Sequence, residues 1–296
     1  MHIKRRTFLK CVGMSSVGVT VLGGSSVWYG TKIEPAELEV VTLPVRLTHL
    51  DAPFRGYRIL QLSDIHADTT WMDAQRLAHI VQVANEQHPD LVLITGDFIT
   101  YQHKGMEKTL ATLKGLQARD GVFAILGNRD YVGDPDVVRA LLRSYNIQEL
   151  KDSVHTISRD GGMLHLIGLD DLWGSTEHYR LPLDGRKEVL FSLVNKLPAT
   201  GAAILLVHEP DFADVAKTTQ RIALQLSGHT HGGQVRLPGY GALRLPSMGK
   251  RYQAGLYHLD GMLHYTNRGL GMMAPQIRLN CSPEITVFVC QDSSPS

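Results

Sequence analysis

From Tyr57 onward, short unbroken apolar runs alternate with segments whose apolar residues recur every three or four positions. The runs Arg58–Leu62, Leu91–Thr95, Val122–Leu126, Leu164–Leu169, Ala203–Val207 and Ile222–Leu226 read as strands buried on both faces. Leu77, Ile80, Val81 and Ala84 fall on one helical face. Val138, Leu141, Leu142 and Tyr145 do the same behind Asp134, a capping residue, and Pro135, suited to a first helical position. Strand–helix alternation of this kind predicts an α/β fold. The final third changes character. There Gly239-Tyr240-Gly241 and Asp260-Gly261 punctuate short strands and predict hairpins, an antiparallel addition to the fold. Glu284 to Val289 reads as one further strand. No repeat, low-complexity tract or linker interrupts Tyr57 to Cys290. One domain over residues 57–291 is expected, with an extended lead-in at 32–56 and a tail at 292–296.

The first 31 residues follow neither pattern. MHIKRRTFLK is basic, and the run from Cys11 to Thr31 is uncharged and rich in Val, Gly and Ser. A basic stretch before an apolar one is a secretory signal. Adjacent Arg5 and Arg6, followed by Phe8-Leu9-Lys10, resemble a twin-arginine export signal. No clear Ala-x-Ala site follows, and Trp28 and Tyr29 suit a membrane interface. The segment is therefore read as an address, cleaved or kept as an anchor. It implies export, with the twin-arginine machinery as a partner, to a periplasmic, cell-envelope or membrane-associated location.

Removing that segment changes the charge picture. Four of the 30 Lys and Arg residues lie in it, leaving 26 bases against 29 acids in the folded part. No nucleic-acid partner is expected from a balance near neutral, because such proteins normally carry a basic surface. Cys281 and Cys290 flank the last strand, too far apart along an extended chain for a disulfide, and are expected to be buried thiols.

Five strand candidates end in residues able to hold a metal. Arg58–Leu62 runs into Ser63-Asp64-Ile65-His66, Leu91–Thr95 into Gly96-Asp97, and Val122–Leu126 into Gly127-Asn128-Arg129-Asp130. Ala203–Val207 runs into His208-Glu209, and Ile222–Leu226 into Ser227-Gly228-His229-Thr230-His231. Ligands of open α/β sheets bind beyond the carboxyl ends of strands, so five such endings point to one shared edge. In extended backbone, Asp64 and His66 would share a side, as would His229 and His231.

The ordered set D-x-H, G-D, G-N-x-D, H and G-H-T-H over Asp64 to His231 resembles the calcineurin-like metallophosphoesterase superfamily. Gly232-Gly233-Gln234, Asn267-Arg268-Gly269-Leu270-Gly271, Arg278-Leu279-Asn280-Cys281 and Gly168-Leu169-Asp170-Asp171-Leu172-Trp173 resemble its exported or membrane-associated bacterial branch. The resemblance implies a four-layer αββα sandwich of two mixed sheets. It implies two metal ions, one held by Asp64, His66, Asp97 and His231, the other by the bridging Asp97 with Asn128, His208 and His229. Nitrogen and oxygen donors together suit Mn, Fe or Zn better than Mg or Ca.

Such a pair implies in-line hydrolysis of a phosphoester by metal-bound hydroxide, without a covalent intermediate. Asn128, Arg129 and Asp130 are the catalytic candidates. The family usually has histidine where Arg129 stands. Arginine cannot donate a proton at neutral pH, yet it bonds phosphate well, so acidic leaving groups are expected to be favoured. The alternative is a structural pairing of Arg129 with Asp130. Arg268 is read either as a phosphate contact or as a surface ion pair, and Tyr101 and His103 as cleft or loop residues.

The function implied is a phosphodiesterase acting on a lipid or nucleotide-lipid phosphoester or pyrophosphate. The alternatives are a nuclease or cyclic-nucleotide phosphodiesterase, and a catalytically weakened, metal-stabilised envelope-binding protein.

Overall fold

The computed structural model describes residues 27–68, 70–101, 104–172 and 183–291. The arginine pair, most of the uncharged run, His103, Trp173 and the tail lie outside the described residues.

Two six-stranded mixed sheets carry the fold. The first has the order β1 (Glu39–Arg46), β14 (Glu284–Gln291), β2 (Arg58–Leu62), β3 (Leu91–Thr95), β4 (Val122–Ile125), β5 (Ile147–Glu149). β2 to β5 run parallel, while β14 pairs antiparallel with β2 and parallel with β1. The second has the order β12 (Gly255–Leu259), β13 (Met262–Thr266), β9 (Leu224–Ser227), β8 (Ala202–Leu206), β7 (Gly162–Gly168), β6 (Ser153–Arg159). Its four central strands are parallel and both edges antiparallel. A short ribbon, β10 (Arg236–Leu237) with β11 (Gly241–Ala242), stands apart from both sheets.

Helices α1 (Ala74–Glu86), α2 (Met106–Leu110), α3 (Asn128–Val132) and α4 (Pro135–Ser144) lie in the connections of the first sheet, and α5 (Leu183–Val194) and α6 (Ala213–Ala216) in those of the second. Alternate residues of each strand face opposite ways, and both directions are apolar. Ile59, Leu91, Leu93 and Phe123 meet Leu164, Leu166, Ile204 and Leu224 between the sheets. Leu60, Leu62, Val92 and Ile94 face the helices instead, where Leu77, Ile80, Val81 and Ala84 of α1 cover them. Ala203, Leu205 and Val207 are covered by Leu190 and Leu193 of α5. Three apolar layers between four structural layers give an αββα sandwich.

Strand ends differ from the apolar runs by one or two residues; β4, for example, stops before Leu126. The side chain of Asp134 caps α4 by accepting from Asp136 N–H at 3.0 Å. Asp260 and Gly261, both at positive φ, make the tight turn from β12 to β13. Residues 32–56, expected as a lead-in, supply β1, which pairs with β14 from Glu39 opposite Glu284 to Arg46 opposite Gln291. Glu34 is buried there and accepts the backbone N–H of Asn280 at 2.8 Å and that of Cys281. Cys281 and Cys290 are buried and free. Among the described residues, no helix is long and apolar enough to cross a membrane.

Candidate metal centre

β2, β3, β4, β8 and β9 deliver their polar endings to one place, yet not by extended backbone. Asp64, His66, Asp97, His229 and His231 all lie past their strands, at φ between 48° and 71°. The expectation that Asp64 and His66 share a side through strand alternation is thus corrected, as is that for His229 and His231. Left-handed backbone aims these side chains. Non-glycine residues adopt it at a cost of about 1 kcal/mol each. Backbone bonds between the loops offset that cost: Asp64 N–H to the Gly96 carbonyl and His66 N–H to the Asp97 carbonyl, both 3.0 Å. A Cβ on Gly96 would lie 2.6 Å from the Gly127 nitrogen, so this crossing demands glycine.

Two groups of donor atoms result, Asp64 with His66 and His231, and Asp64 with Asp97 and His208, each within 4.8 Å. All five residues are buried. Nε2 of His66 lies 3.0 Å from Nε2 of His231, which is 3.4 Å from Asp64 Oδ1. Asp97 Oδ2 stands between the groups, 3.5 Å from His66 Nε2 and 3.3 Å from His208 Nε2. Nδ1 of His229 meets the Asn128 side-chain oxygen at 3.0 Å.

The outer nitrogens are tied down. His208 Nδ1–H donates to the Thr95 carbonyl at 2.7 Å, and His229 Nε2–H to the Ser247 carbonyl at 2.9 Å. His66 Nδ1 contacts the Thr100 hydroxyl at 3.2 Å. Such bonds set the tautomer and turn the other nitrogen inward as a lone pair. Asp64 accepts from the Ser63 hydroxyl at 2.6 Å and from His229 N–H at 3.1 Å.

Charge follows burial. It pushes the imidazoles of His66 and His229 down to about 4, so both are neutral at physiological pH, and pushes the Asp64 carboxyl up to about 6. Burial also acts on Asp97 and His208, but their mutual attraction outweighs it, holding the carboxyl well below and the imidazole well above their usual ranges. The carboxylates thus demand positive charge beside His208, which a cation bound there would supply. Among the described residues, His208 Nε2 and His231 Nδ1 have no hydrogen-bond partner. Neutral imidazoles, buried carboxylates and facing lone pairs fit metal cations, which would satisfy all of them together.

Residues 57–233 match the family model described as calcineurin-like phosphoesterase. The chain belongs to this family. It is 34% identical to the metallophosphoesterase YkuE of Bacillus subtilis (strain 168), over 99% of both chains. Phosphodiesterase YaeI of Escherichia coli (strain K12) is 29% identical over 97% of this chain and 98% of the relative. A transmembrane protein with a metallophosphoesterase domain from Danio rerio is 30% identical over 86% of this chain and 58% of its own length. Among solved structures, the sulfate thiohydrolase SoxB of Thermus thermophilus superposes with a TM-score of 0.52 at 14% identity, over 81% of this chain and 57% of that one; it attests the fold. The protein is a metal-dependent phosphoester hydrolase.

In this phosphoesterase the three catalytic candidates part company. Asn128 opens α3 beside His229. Arg129 donates its backbone N–H to Asp97 Oδ1 at 2.8 Å, while its side chain lines a cleft of about 530 Å³ with Asp97, His229 and His231. Among the described residues Arg129 forms no ion pair, so the alternative pairing with Asp130 does not occur. Asp130 is buried and accepts the backbone N–H groups of Phe98 at 2.8 Å, Ile99 at 3.2 Å and Gly127 at 3.0 Å. It staples the loop after β3 to the loop after β4. Arg268 pairs with Glu284 and, at 2.7 Å, with Glu39, which is the ion-pair reading. Tyr101 is exposed.

Several contributors carry no sequence signal that singles them out. Thr95, Thr100 and Ser247 orient histidines through a carbonyl or a hydroxyl, which any neighbouring residue could offer. Arg244 and Met273 line the cleft from loops without periodicity. Arg278, by contrast, belongs to a motif the sequence did offer; it is fully buried and donates to the carbonyls of Cys281 (2.9 Å), Arg268 (3.0 Å), Gly269 (2.9 Å) and Gly271 (2.6 Å). It fixes the loop whose Leu270 and Gly271 N–H groups bond the Ser63 and Asp64 carbonyls at 3.0 and 2.7 Å.

Proposed function

We propose that this enzyme is a phosphodiesterase of the cell envelope, exported through the twin-arginine route, with two Mn, Fe or Zn ions as cofactors. Its substrate is a lipid or nucleotide-lipid phosphoester or pyrophosphate, and nucleic acid is not a partner. The observation that carries the two-metal reading is the position of Asp97, whose one carboxylate oxygen faces both His66 and His208. In this reading Asp64, His66 and His231 hold one cation, Asn128, His208 and His229 hold the other, and Asp97 joins both. When bound, the pair supplies an ionised water at neutral pH and offsets charge on the phosphate.

The chain's own residues do the rest. Arg129 lines the cleft, without an ion pair among the described residues, and offers forked N–H donors to phosphate oxygens. It delivers no proton to the leaving oxygen, so departure as a stable anion is favoured, which suits a pyrophosphate or an aryl ester. Asp130 holds the backbone that presents Asp97 and Asn128. The apolar wall of the cleft, including Val235, Leu245, Met273 and Ile277, supports an apolar substituent on the substrate. Similarity to the phosphodiesterase YaeI and to the transmembrane protein of Danio rerio supports diester cleavage and a membrane setting.

The test is metal depletion followed by Mn, assayed on bis- and mono-aryl phosphates. Diester turnover that returns with about two Mn per chain is expected. Turnover that persists without metal would overturn the reading.

A further inference from the structure

Nine large apolar side chains are exposed among the described residues, and six of them lie in two segments. Val27, Trp28 and Tyr29 form one; Leu237, Tyr240 and Leu243, on and beside the β10–β11 ribbon, form the other. Tyr240 is 75% exposed and Trp28 60%.

The two segments are neighbours through residues 277–280. On one side, Arg278 N–H donates to the Gly30 carbonyl at 2.8 Å, and a Cβ on Gly30 would touch Ile277. On the other, Arg236 N–H donates to the Leu279 carbonyl at 2.9 Å, and Asn280 Nδ2 to the Arg236 carbonyl at 2.9 Å. Ile277 and Leu243, one from each side, both line the cleft that holds Arg129 and His229. The apolar segments therefore flank the mouth of the active site.

Glu37 accepts the Tyr29 hydroxyl at 3.2 Å and Asp214 pairs with Arg251, but the ribbon segment itself carries charge of one sign. Between Gln234 and Leu259 the chain carries Arg236, Arg244, Lys250 and Arg251 and no acid. Scattered apolar residues need no explanation, but a cluster of aromatic and aliphatic side chains beside cations is the composition of a membrane-interface surface. In sequence, Val27 follows directly on the uncharged run that begins at Cys11.

We propose that this rim docks on an anionic lipid bilayer, with the ribbon tip and Trp28 in the interfacial layer and the cleft opening onto the headgroups. The proposal rests on the envelope location given above and names the face that meets lipid; it does not depend on hydrolysis.

The test uses the full chain with vesicles of phosphatidylcholine and phosphatidylglycerol. Leu237→Ser with Tyr240→Ser should lower partitioning about tenfold, since binding scales with buried apolar area. The N-terminal run could hold the protein by itself, so depth is read as well. In Tyr240→Trp the added emission should be quenched by brominated lipid. Equal partitioning of the double variant and the parent would overturn the proposal. So would an unquenched Tyr240→Trp on bound protein, or self-association that buries this tip without vesicle binding. Neither Leu237 nor Tyr240 lines the cleft, so the double variant should hydrolyse soluble bis(p-nitrophenyl) phosphate as the parent does. Absence of that turnover in the parent would count against the hydrolytic reading and leave the docking surface standing.

Discussion

His66 and His231 face each other Nε2 to Nε2 at 3.0 Å, with ring centroids 4.8 Å apart. Burial lowers the pKa of both, so both rings are neutral at neutral pH and at most one of the two nitrogens carries a hydrogen to the other. A cation bound there would take both nitrogens as ligands and satisfy the buried carboxylates beside them, which this contact between neutral rings does not. Metal loading should therefore stabilise the fold strongly. At a hundredfold excess over Kd, one ligand adds about 2.7 kcal/mol, which for a domain of this size raises Tm by roughly 5 °C or more. Calorimetry with Mn and with a chelator checks this, and coincident melting curves would contradict it.

Asp97→Ala removes the carboxylate oxygen that lies 3.5 Å from His66 Nε2 and 3.3 Å from His208 Nε2. Turnover of an aryl phosphodiester should fall on the order of a thousandfold, with bound metal dropping below two per chain. Elemental analysis beside the kinetics separates loss of metal from loss of fold.

Arg129→His restores a group able to give up a proton. Esters with poor leaving groups should gain about tenfold relative to those with good ones, within the usual range of general acid catalysis. A series of substituted aryl phosphates reads this as a shallower dependence on leaving-group pKa. An unchanged dependence would remove Arg129 from the account of the leaving group.

Arg278→Met leaves four buried carbonyls short of a donor, at a cost of about 3 kcal/mol. Because the loop it fixes bonds Ser63 and Asp64, metal affinity should fall as well as stability. Gly271→Ala tests the same contact sterically, since its Cβ would lie 2.3 Å from the Ile65 carbonyl. A loss of about 1–3 kcal/mol is expected from urea titration.

Much of the fold was legible because burial on both faces leaves a simple trace. Strands such as Leu91–Thr95 are apolar throughout, and α1 shows its buried stripe at Leu77, Ile80, Val81 and Ala84. The polar residues after five strands were legible for the same reason, since they interrupt the apolar pattern at equivalent points. Asp130 was harder to read. Its sequence neighbour suggested a partner for Arg129, whereas its real partners are backbone N–H groups of Phe98 and Ile99, some thirty residues away. Backbone donors carry no residue identity, so no motif could have named them. Arg268 likewise finds Glu39, 229 positions distant, through the pairing of β1 with β14.

By itself, the sequence determined the local periods, the order in which candidate ligands leave their strands, and the segments lacking acid or breaking pattern. Those properties depend on neighbours within a few residues. The tertiary structure decided which endings converge, for His66 and His231 are 165 positions apart and meet only when the two sheets pack face to face. It also decided that left-handed kinks, rather than strand alternation, aim the ligands, and that Trp28 and Tyr240 flank one cleft. Such relations depend on inter-strand register and loop packing summed across the whole domain, which no local pattern encodes.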